Sequence, residues 1–557
     1  MWRRKRSLGG ALTAVALALT GSAAVAVPAE VTGPAGTSRD YMVFYTAGAQ
    51  DRAESAIRSA GGRRVSAGDP RLGYVIASGP GTAFVEALGR SDAIAGVSAN
   101  RKIGSAAALP TAGLATRATV DRKRLNAPAP AGQEPLAPLQ WDMKLIGATA
   151  GQSYKKAPGD KRVLVGVIDT GIDGKHPDIA PNFDRALSRN FVTDTPKDPK
   201  GNTQDGPCEY KGCKDPVDVD GEGHGTHVAS TIAAPINGLG IAGVAPKVTL
   251  VNLRAGTDAG LFFLKPSLDA LAYAADAGID VVNMSYYIDP WLFNCPANPS
   301  DSKAQQLEQQ GIITGMQRAL DYARSRGVTL ISAIGNNSTD LGRPTRDSTS
   351  PDYPSGEERD RKIDNSCLNV PAESKGVISI SSVGPSELKA YYSDYGIEQT
   401  DLAAPGGDDF SPGSTKSDIA RTILGAAPEQ LLRAQGLIDK NGKPKTTAVV
   451  RDCKGSTCAY YQYLQGTSMA APHATGVAAI LISRFGKPDN GGLSLAPATV
   501  ERLLYETAVR KGCPASGKQT YSPFGIKDTQ ACQGDQARNG FYGHGIVDAE
   551  RAATVTK

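Results

Sequence analysis

Acidic residues are missing from the first 29 positions of this chain, and cysteine is missing from the first 207. Past the opening leader, no apolar run approaches the ~20 residues a helix needs to cross a bilayer, which excludes a multi-span membrane protein. A basic stripe is also absent. Of the formal charge of +5, four units come from Arg3, Arg4, Lys5 and Arg6, so the rest of the chain is close to neutral and a dedicated nucleic-acid binder is set aside. The 63 glycines and 36 prolines fall below the roughly 25–30% of low-complexity chains. Aromatic residues reach only 6%, yet 40% hydrophobic and 21% charged residues are ordinary globular usage. At about 150 residues per domain, 557 residues suggest three to four domains, and no solenoid-type repeat divides them.

What is present begins with an export leader. Arg3 to Arg6 form a basic n-region, Leu8 to Leu19 an apolar h-region, and Ala24-Val25-Ala26 a small-residue cleavage site. The stretch is too short for an anchor, so residues 1–26 read as a signal peptide. The mature protein is expected to be secreted and extracellular, without a membrane anchor. The cysteines agree with an oxidising compartment. Eight allow 105 pairings, and close spacing favours Cys208–Cys213, Cys453–Cys458 and Cys513–Cys532, which leaves Cys295 for Cys367. A zinc site is disfavoured, since no spacing is C-x2-C and no histidine lies near any pair.

Between the leader and an Ala/Pro-rich stretch at 107–138, Tyr41–Thr46 and Leu72–Ser78 read as strands, and Ala49–Ala60 and Thr82–Leu88 as helices, the pattern of a small α+β sandwich. The Ala/Pro stretch reads as an exposed linker open to proteolysis. From Lys161 the pattern changes. Apolar, β-branched runs at Val163–Ile168, Val248–Leu253, Ile279–Met284, Val328–Ile334 and Val377–Val383 are those of strands buried on both faces. Helical segments Pro266–Ala277 and Gln305–Arg326 lie between them. This alternation predicts an α/β domain with a doubly wound, mostly parallel sheet and helices on both faces.

Three segments carry chemistry. In Val167-Ile168-Asp169-Thr170-Gly171 an acid ends a buried strand, where α/β folds place their sites. In Gly223-His224-Gly225-Thr226-His227 a histidine leads into a helix of small residues. In Gly466-Thr467-Ser468-Met469-Ala470-Ala471-Pro472-His473 a serine opens an Ala-rich helix, with Pro472 expected in its first turn. Singly, these are a helix cap, a loop histidine and an N-cap serine. In the order Asp–His–Ser they are an orienting acid, the base it holds and the nucleophile that the base activates.

With these three motifs, Val244-Ala245-Pro246, Asn283-Met284-Ser285, Gly335-Asn336 and Gly543-His544-Gly545, the sequence from about 140 to 555 resembles the subtilisin-like serine peptidases. The resemblance implies hydrolysis of peptide bonds in protein or peptide substrates by a monomer. Asp169, His224 and Ser468 would be catalytic, and Asn336 with the Ser468 N–H would stabilise the oxyanion. Ser285, Tyr286, Tyr287 and Gly335 would bind substrate. It further implies an inhibitory, ferredoxin-like propeptide at 27–124, ahead of a peptidase domain at 125–557. No cofactor is needed for the chemistry. A structural calcium site is implied, with side-chain oxygens of Asp178 and Asn237 and carbonyls of Pro235, Leu239 and Ile241. The pair Tyr286-Tyr287 departs from the family pattern and is expected to narrow the cleft. The long segment between Pro405 and Tyr463 and the one after Ile288 are expected to form a disulfide-stapled cleft rim. An esterase of the α/β-hydrolase type is disfavoured, because Gly466-Thr467-Ser468-Met469-Ala470 lacks the second glycine of its elbow and the order differs. A catalytically silent binding protein on the same fold is the remaining alternative.

Overall fold

The computed structural model describes residues 38–100, 133–410, 413–489 and 492–556. The leader and nearly all of the Ala/Pro-rich linker lie outside them. Residues 38–100 form β1 (Ser38–Tyr45), α1 (Gln50–Ser59), β2 (Arg63–Asp69), β3 (Tyr74–Pro80), α2 (Gly81–Leu88) and β4 (Ile94–Ala99), an antiparallel sheet in the order β2–β3–β1–β4. Strands β4 and β2 both go unmarked in the sequence pattern, and for β2 the reason is plain. It is an edge strand, mostly exposed and polar (Arg63, Arg64, Ser66), so no apolar alternation marks it.

The large unit is built on β5 (Leu164–Ile168), β6 (Arg189–Asn190), α3 (His224–Ala233), β7 (Thr249–Arg254), α4 (Leu264–Ala277), β8 (Val281–Met284), α5 (Lys303–Ser325), β9 (Thr329–Ala333), β10 (Ile378–Val383) and β11 (Leu402–Pro405). The seven strands are all parallel, in the order β11–β10–β9–β8–β5–β7–β6. Each of the five apolar runs is one of these strands. Strand β5 is the point from which the chain turns first to one side and then to the other, and crevices at such points hold the sites of doubly wound folds. Past β11 come a small antiparallel sheet of β12 (Ile423–Ala426), β13 (Val449–Lys454) and β14 (Thr457–Leu464), then α6 (Thr467–Phe485), α7 (Pro497–Thr507) and α8 (Ala549–Thr554). All four expected disulfides are present.

Helices α3 and α6 bury their apolar residues on one face of the seven-stranded sheet, and α4 and α5 on the other. The second core does not stop at the helices. Met42, Phe44, Leu72, Tyr74 and Ile76 of the N-terminal unit belong to it, while Tyr41, Val43, Tyr45, Val75 and Ala77 face that unit's own helices. The period-2 alternation of β1 and β3 thus serves two partners at once. Contact with α5 is close because α5 carries glycines where the small unit lands. A Cβ on Gly311 would lie 2.9 Å from the Val97 carbonyl carbon, and one on Gly315 would lie 2.6 Å from Phe44. Arg318, one turn on, donates to the carbonyls of Gly73 (2.9 Å) and Tyr45 (2.9 Å), and Arg71 reaches back to Asp276.

Glycine inside a helix costs about 1 kcal/mol relative to alanine, so Gly311→Ala should help α5 itself while obstructing β4. In the full chain, hydrogen exchange should speed up in β1–β4 and stay unchanged in the seven-stranded sheet. Unaltered exchange in β1–β4 would show that the close approach does not matter.

Candidate active site

The sheet delivers its functional residues at the carboxyl ends of the strands. Asp169 follows β5 directly and is fully buried. Its Oδ1 accepts from the Thr170 N–H at 2.8 Å and lies 2.7 Å from His224 Nδ1, while Oδ2 is buried with no partner. His224 is the first residue of α3, its side chain 14% exposed. It can come this close because residue 225 is glycine: a Cβ there would sit 2.1 Å from the Gly171 carbonyl oxygen. Asp220 ties down the same helix end, accepting from the Gly223 and Thr226 N–H groups and from the hydroxyls of Thr170 and Thr226. Burial pulls the His224 imidazole down. The Asp169 carboxylate outweighs it, with help from Glu222 and Asp220, and lifts the pKa to about 9.

Ser468 is the second residue of α6. Its hydroxyl donates to the Ser285 carbonyl at 3.3 Å, and Ser285 follows β8. Pro472 is the sixth residue of α6, not in its first turn as the sequence suggested. A proline there cannot donate to the residue four positions back, which is Ser468. The Ser468 carbonyl is taken instead by the Ser285 hydroxyl at 3.1 Å, itself held by Asn283 Nδ2 at 2.9 Å. The helix tolerates the proline because the cleft wall supplies the missing donor.

Asn336 follows β9. Its Oδ1 accepts from the Thr467 N–H (2.9 Å) and hydroxyl (3.0 Å), which leaves Nδ2 as a donor. The space beside Gly466, where a side chain would stand, is 3.7 Å from Asn336 Nδ2 and 3.7 Å from the Ser468 N. The loop that carries Asn336 is wrapped around Asp394, whose Oδ1 accepts from the N–H groups of Asn337 (2.9 Å) and Thr339 (2.7 Å). Asp394 is fully buried, and burial pushes its carboxyl up to about 7.

One cleft holds His224, Ser468 and Asn336 together with Ser285, Tyr286, Tyr287 and Gly335. The two tyrosines part ways. Tyr286 stacks on Phe262, centroids 4.2 Å apart, within the α4–α5 core. Tyr287 packs on the cluster around the Cys295–Cys367 disulfide and donates to Asp352 at 2.5 Å. Both still contribute to the cleft lining. The stapled rim is only half as expected. Ala426, Gln435, Gln462 and Leu464 of the long insertion do line the cleft. Its Cys453–Cys458 hairpin instead reaches the 235–241 loop: Asp452 accepts from the Gly240 N–H (2.8 Å), and Lys454 donates to the Asn237 carbonyl (2.6 Å).

At that loop the residues read as calcium ligands meet. Asp178 is fully buried, its oxygens accepting from Asn237 Nδ2 (2.9 Å), the Ile241 N–H (3.0 Å) and the Tyr461 hydroxyl (2.9 Å). The carbonyls of Pro235, Leu239 and Ile241 accept no hydrogen bond among the described residues. A second acid that sequence reading missed, Glu134, faces the same loop. Its Oε1 accepts from the Gly238 N–H at 3.1 Å, and its Oε2 is buried without a partner. Burial pushes both carboxyls up, Asp178 to about 7. Two buried acids and three idle carbonyls suit a hard divalent cation. Only its position near the end of the Ala/Pro-rich stretch, far from the loop in sequence, hid Glu134.

The other histidines make contacts away from the reacting groups: His227 bonds the carbonyls of Ile423 and Gln462, His176 that of Tyr460, His473 joins Asp142, and His544 stacks on Tyr505.

An acid, an imidazole and a hydroxyl gathered at the carboxyl edge of a doubly wound parallel sheet define the class of the serine hydrolases. Within it, the profile of the subtilase family, peptidase S8, matches residues 160–545, and the chain belongs to that family of serine proteases. It is 27% identical over 390 residues to fervidolysin of Fervidobacterium pennivorans, covering 69% of this chain and 42% of that protein. To subtilisin DY of Bacillus licheniformis it is 25% identical over 361 residues, 65% of this chain and 87% of the relative. It is 24% identical over 384 residues to the epidermin leader peptide-processing serine protease EpiP of Staphylococcus epidermidis, covering 68% of this chain and 71% of that one. The solved EpiP of Staphylococcus aureus shares the fold, with a TM-score of 0.56 at 22% identity over 93% of this chain and 98% of that one.

Asp169 is the main support of the raised His224 pKa. Ring-proton NMR should show His224 titrating near pH 9. In Asp169→Asn, where burial is the chief remaining influence, the midpoint should fall below the ordinary value of about 6.5. A midpoint unmoved by the substitution would assign the elevation elsewhere.

Proposed function

We propose that the protein is a secreted serine endopeptidase, made as a zymogen, that cleaves peptide bonds through an acyl-enzyme on Ser468. The observation that carries this reading is the convergence of the 2.7 Å Asp169–His224 pair, Ser468 and the free Asn336 amide in one cleft. His224 Nε2 takes the proton from Ser468 Oγ as the hydroxyl attacks the scissile carbonyl. It then returns that proton to the leaving amine. Asp169 holds the imidazole by Nδ1 and stabilises the imidazolium. Negative charge on the carbonyl oxygen is met by Asn336 Nδ2, the Ser468 N–H and the positive end of α6. Water then enters against the acyl-enzyme, again with His224 as base. A silent binding protein would have no need of all four groups. Among the described residues no helix is long and apolar enough to cross a membrane, and the N-terminal leader supports export.

The zymogen reading rests on residues 38–100, which dock on α4 and α5 and lie upstream of the Ala/Pro-rich linker. A fluorophosphonate probe should label the parent protein at Ser468 and leave Ser468→Ala unlabelled. The Ser468→Ala precursor should persist uncut after signal removal, while the parent also sheds residues 27 to about 124. Labelling that survives in Ser468→Ala would rule out the assignment. Because His224 must be neutral to act as base, kcat/KM should rise with pH toward a plateau above about 9.

The loop at 235–241 supports a structural Ca²⁺ site formed by Asp178, Glu134, Asn237 and the carbonyls of Pro235, Leu239 and Ile241. When bound, the ion would fasten this loop to the C-terminal end of the Ala/Pro-rich stretch. Calcium competes with protons for the acids, and Asp178 titrates near 7. Millimolar CaCl2 should therefore raise the Tm of chelated protein more at pH 8 than at pH 6, and less in Glu134→Gln. A Tm indifferent to calcium at both pH values would leave the loop without a metal role.

A further inference from the structure

We propose that Glu222 selects substrates that carry a lysine or arginine side chain within two residues of the scissile bond. This rests on the endopeptidase reading of the same cleft. Among the described residues that line the cleft, Glu222 is the one acid, and none is Lys or Arg. It stands two positions before His224 and is half-buried, with Oε2 accepting from the His224 N–H at 2.7 Å. That bond fastens the side chain beside the reacting groups. The other oxygen makes no hydrogen bond, and no Lys or Arg among the described residues pairs with Glu222.

A protonated His224 imidazole is a compensating charge, but that ring must be neutral to act as base. Asp169 and Asp220 lie behind it, and Asp258 abuts Gly221, where a Cβ would be 2.2 Å from Asp258 Oδ1. The nearby buried guanidinium, Arg254, is already shared among Asp194, Asp215 and Asp258. Burial, reinforced by Asp220 and Asp169, pushes the Glu222 carboxyl up to about 7. A cation brought in by a ligand relieves that cost and is bound more tightly for it.

A purely structural role explains less. Capping the His224 N–H needs only an acceptor, which a neutral amide supplies equally well.

The chain itself presents a polypeptide of matching charge. Arg122-Lys123-Arg124 lies in the segment that joins the two units, where a self-processing zymogen would be cut. The acid in the cleft and the basic run in the linker are independent features of the sequence with complementary charge.

The test uses the full chain, matured, and its Glu222→Gln variant, which keeps an acceptor for the His224 N–H. Substrates are a peptide of residues 117–130 and its counterpart with Arg122, Lys123 and Arg124 replaced by citrulline, norleucine and citrulline. Each enzyme is scored by its own ratio of kcat/KM for the two peptides, so that general effects on His224 cancel. The expected ratio is about tenfold or more in the parent, the scale of a partly desolvated ion pair, and close to one in Glu222→Gln. A parent ratio near one, or a tenfold ratio that survives in the variant, overturns the proposal. Fluorophosphonate labelling separates the two failures. Labelled enzymes without charge preference sink only the role of Glu222, whereas absence of labelling in the parent removes the endopeptidase reading and this proposal with it.

Discussion

Burying one carboxylate at the end of β5 is the constraint on which the functional edge of this molecule depends. Asp169 has given up water on both oxygens and recovers partners on only one, the Thr170 N–H and the His224 ring. A charge so placed is tolerable only while the imidazole stays within hydrogen-bonding range. Much of the local architecture keeps it there. Glycine at 225 lets helix α3 close on the strand, and Asp220 grips that helix by its first N–H groups. The same arrangement leaves His224 far more basic than an ordinary histidine.

Support on the serine side works by substitution of partners. Pro472 removes one rung from the α6 ladder, and Ser285 from β8 fills the vacancy, so that the backbone of Ser468 is fixed by a neighbouring strand as well as by its own helix. Asp394 does the comparable work for Asn336, threading a loop that could not otherwise hold its shape. The cleft is thus assembled from three strand ends and two helix starts, with each reacting side chain positioned by a residue from another element.

Much of this was legible beforehand, and the reasons are physical. Strands buried on both faces must be apolar and β-branched, so β5, β7, β8, β9 and β10 announced themselves, and the ordered motifs place Asp169 just after β5 and His224 and Ser468 at the starts of helices. Strand β2 was invisible because an exposed edge has no need of alternation. The position of Pro472 within its helix depended on where α6 begins, and a helix opening on Gly-Thr-Ser has no side-chain cap to mark the spot. Glu134 could not be found because its partner loop lies about a hundred residues away. The target of the Cys453–Cys458 hairpin is likewise a tertiary fact: Asp452, Lys454 and Tyr461 are unremarkable until the hairpin folds back onto the 235–241 loop.

All four disulfides lie beyond residue 207, so none ties the N-terminal unit to the rest. While the linker is whole, that unit faces helices α4 and α5 at an effective concentration on the order of millimolar, whatever the amount of protein present. One broken peptide bond between the units abolishes this insulation. From then on their association is an ordinary bimolecular equilibrium that responds to volume. A crowded compartment would keep the pieces together, and release into a large one would separate them, so dilution itself becomes a signal the molecule can read.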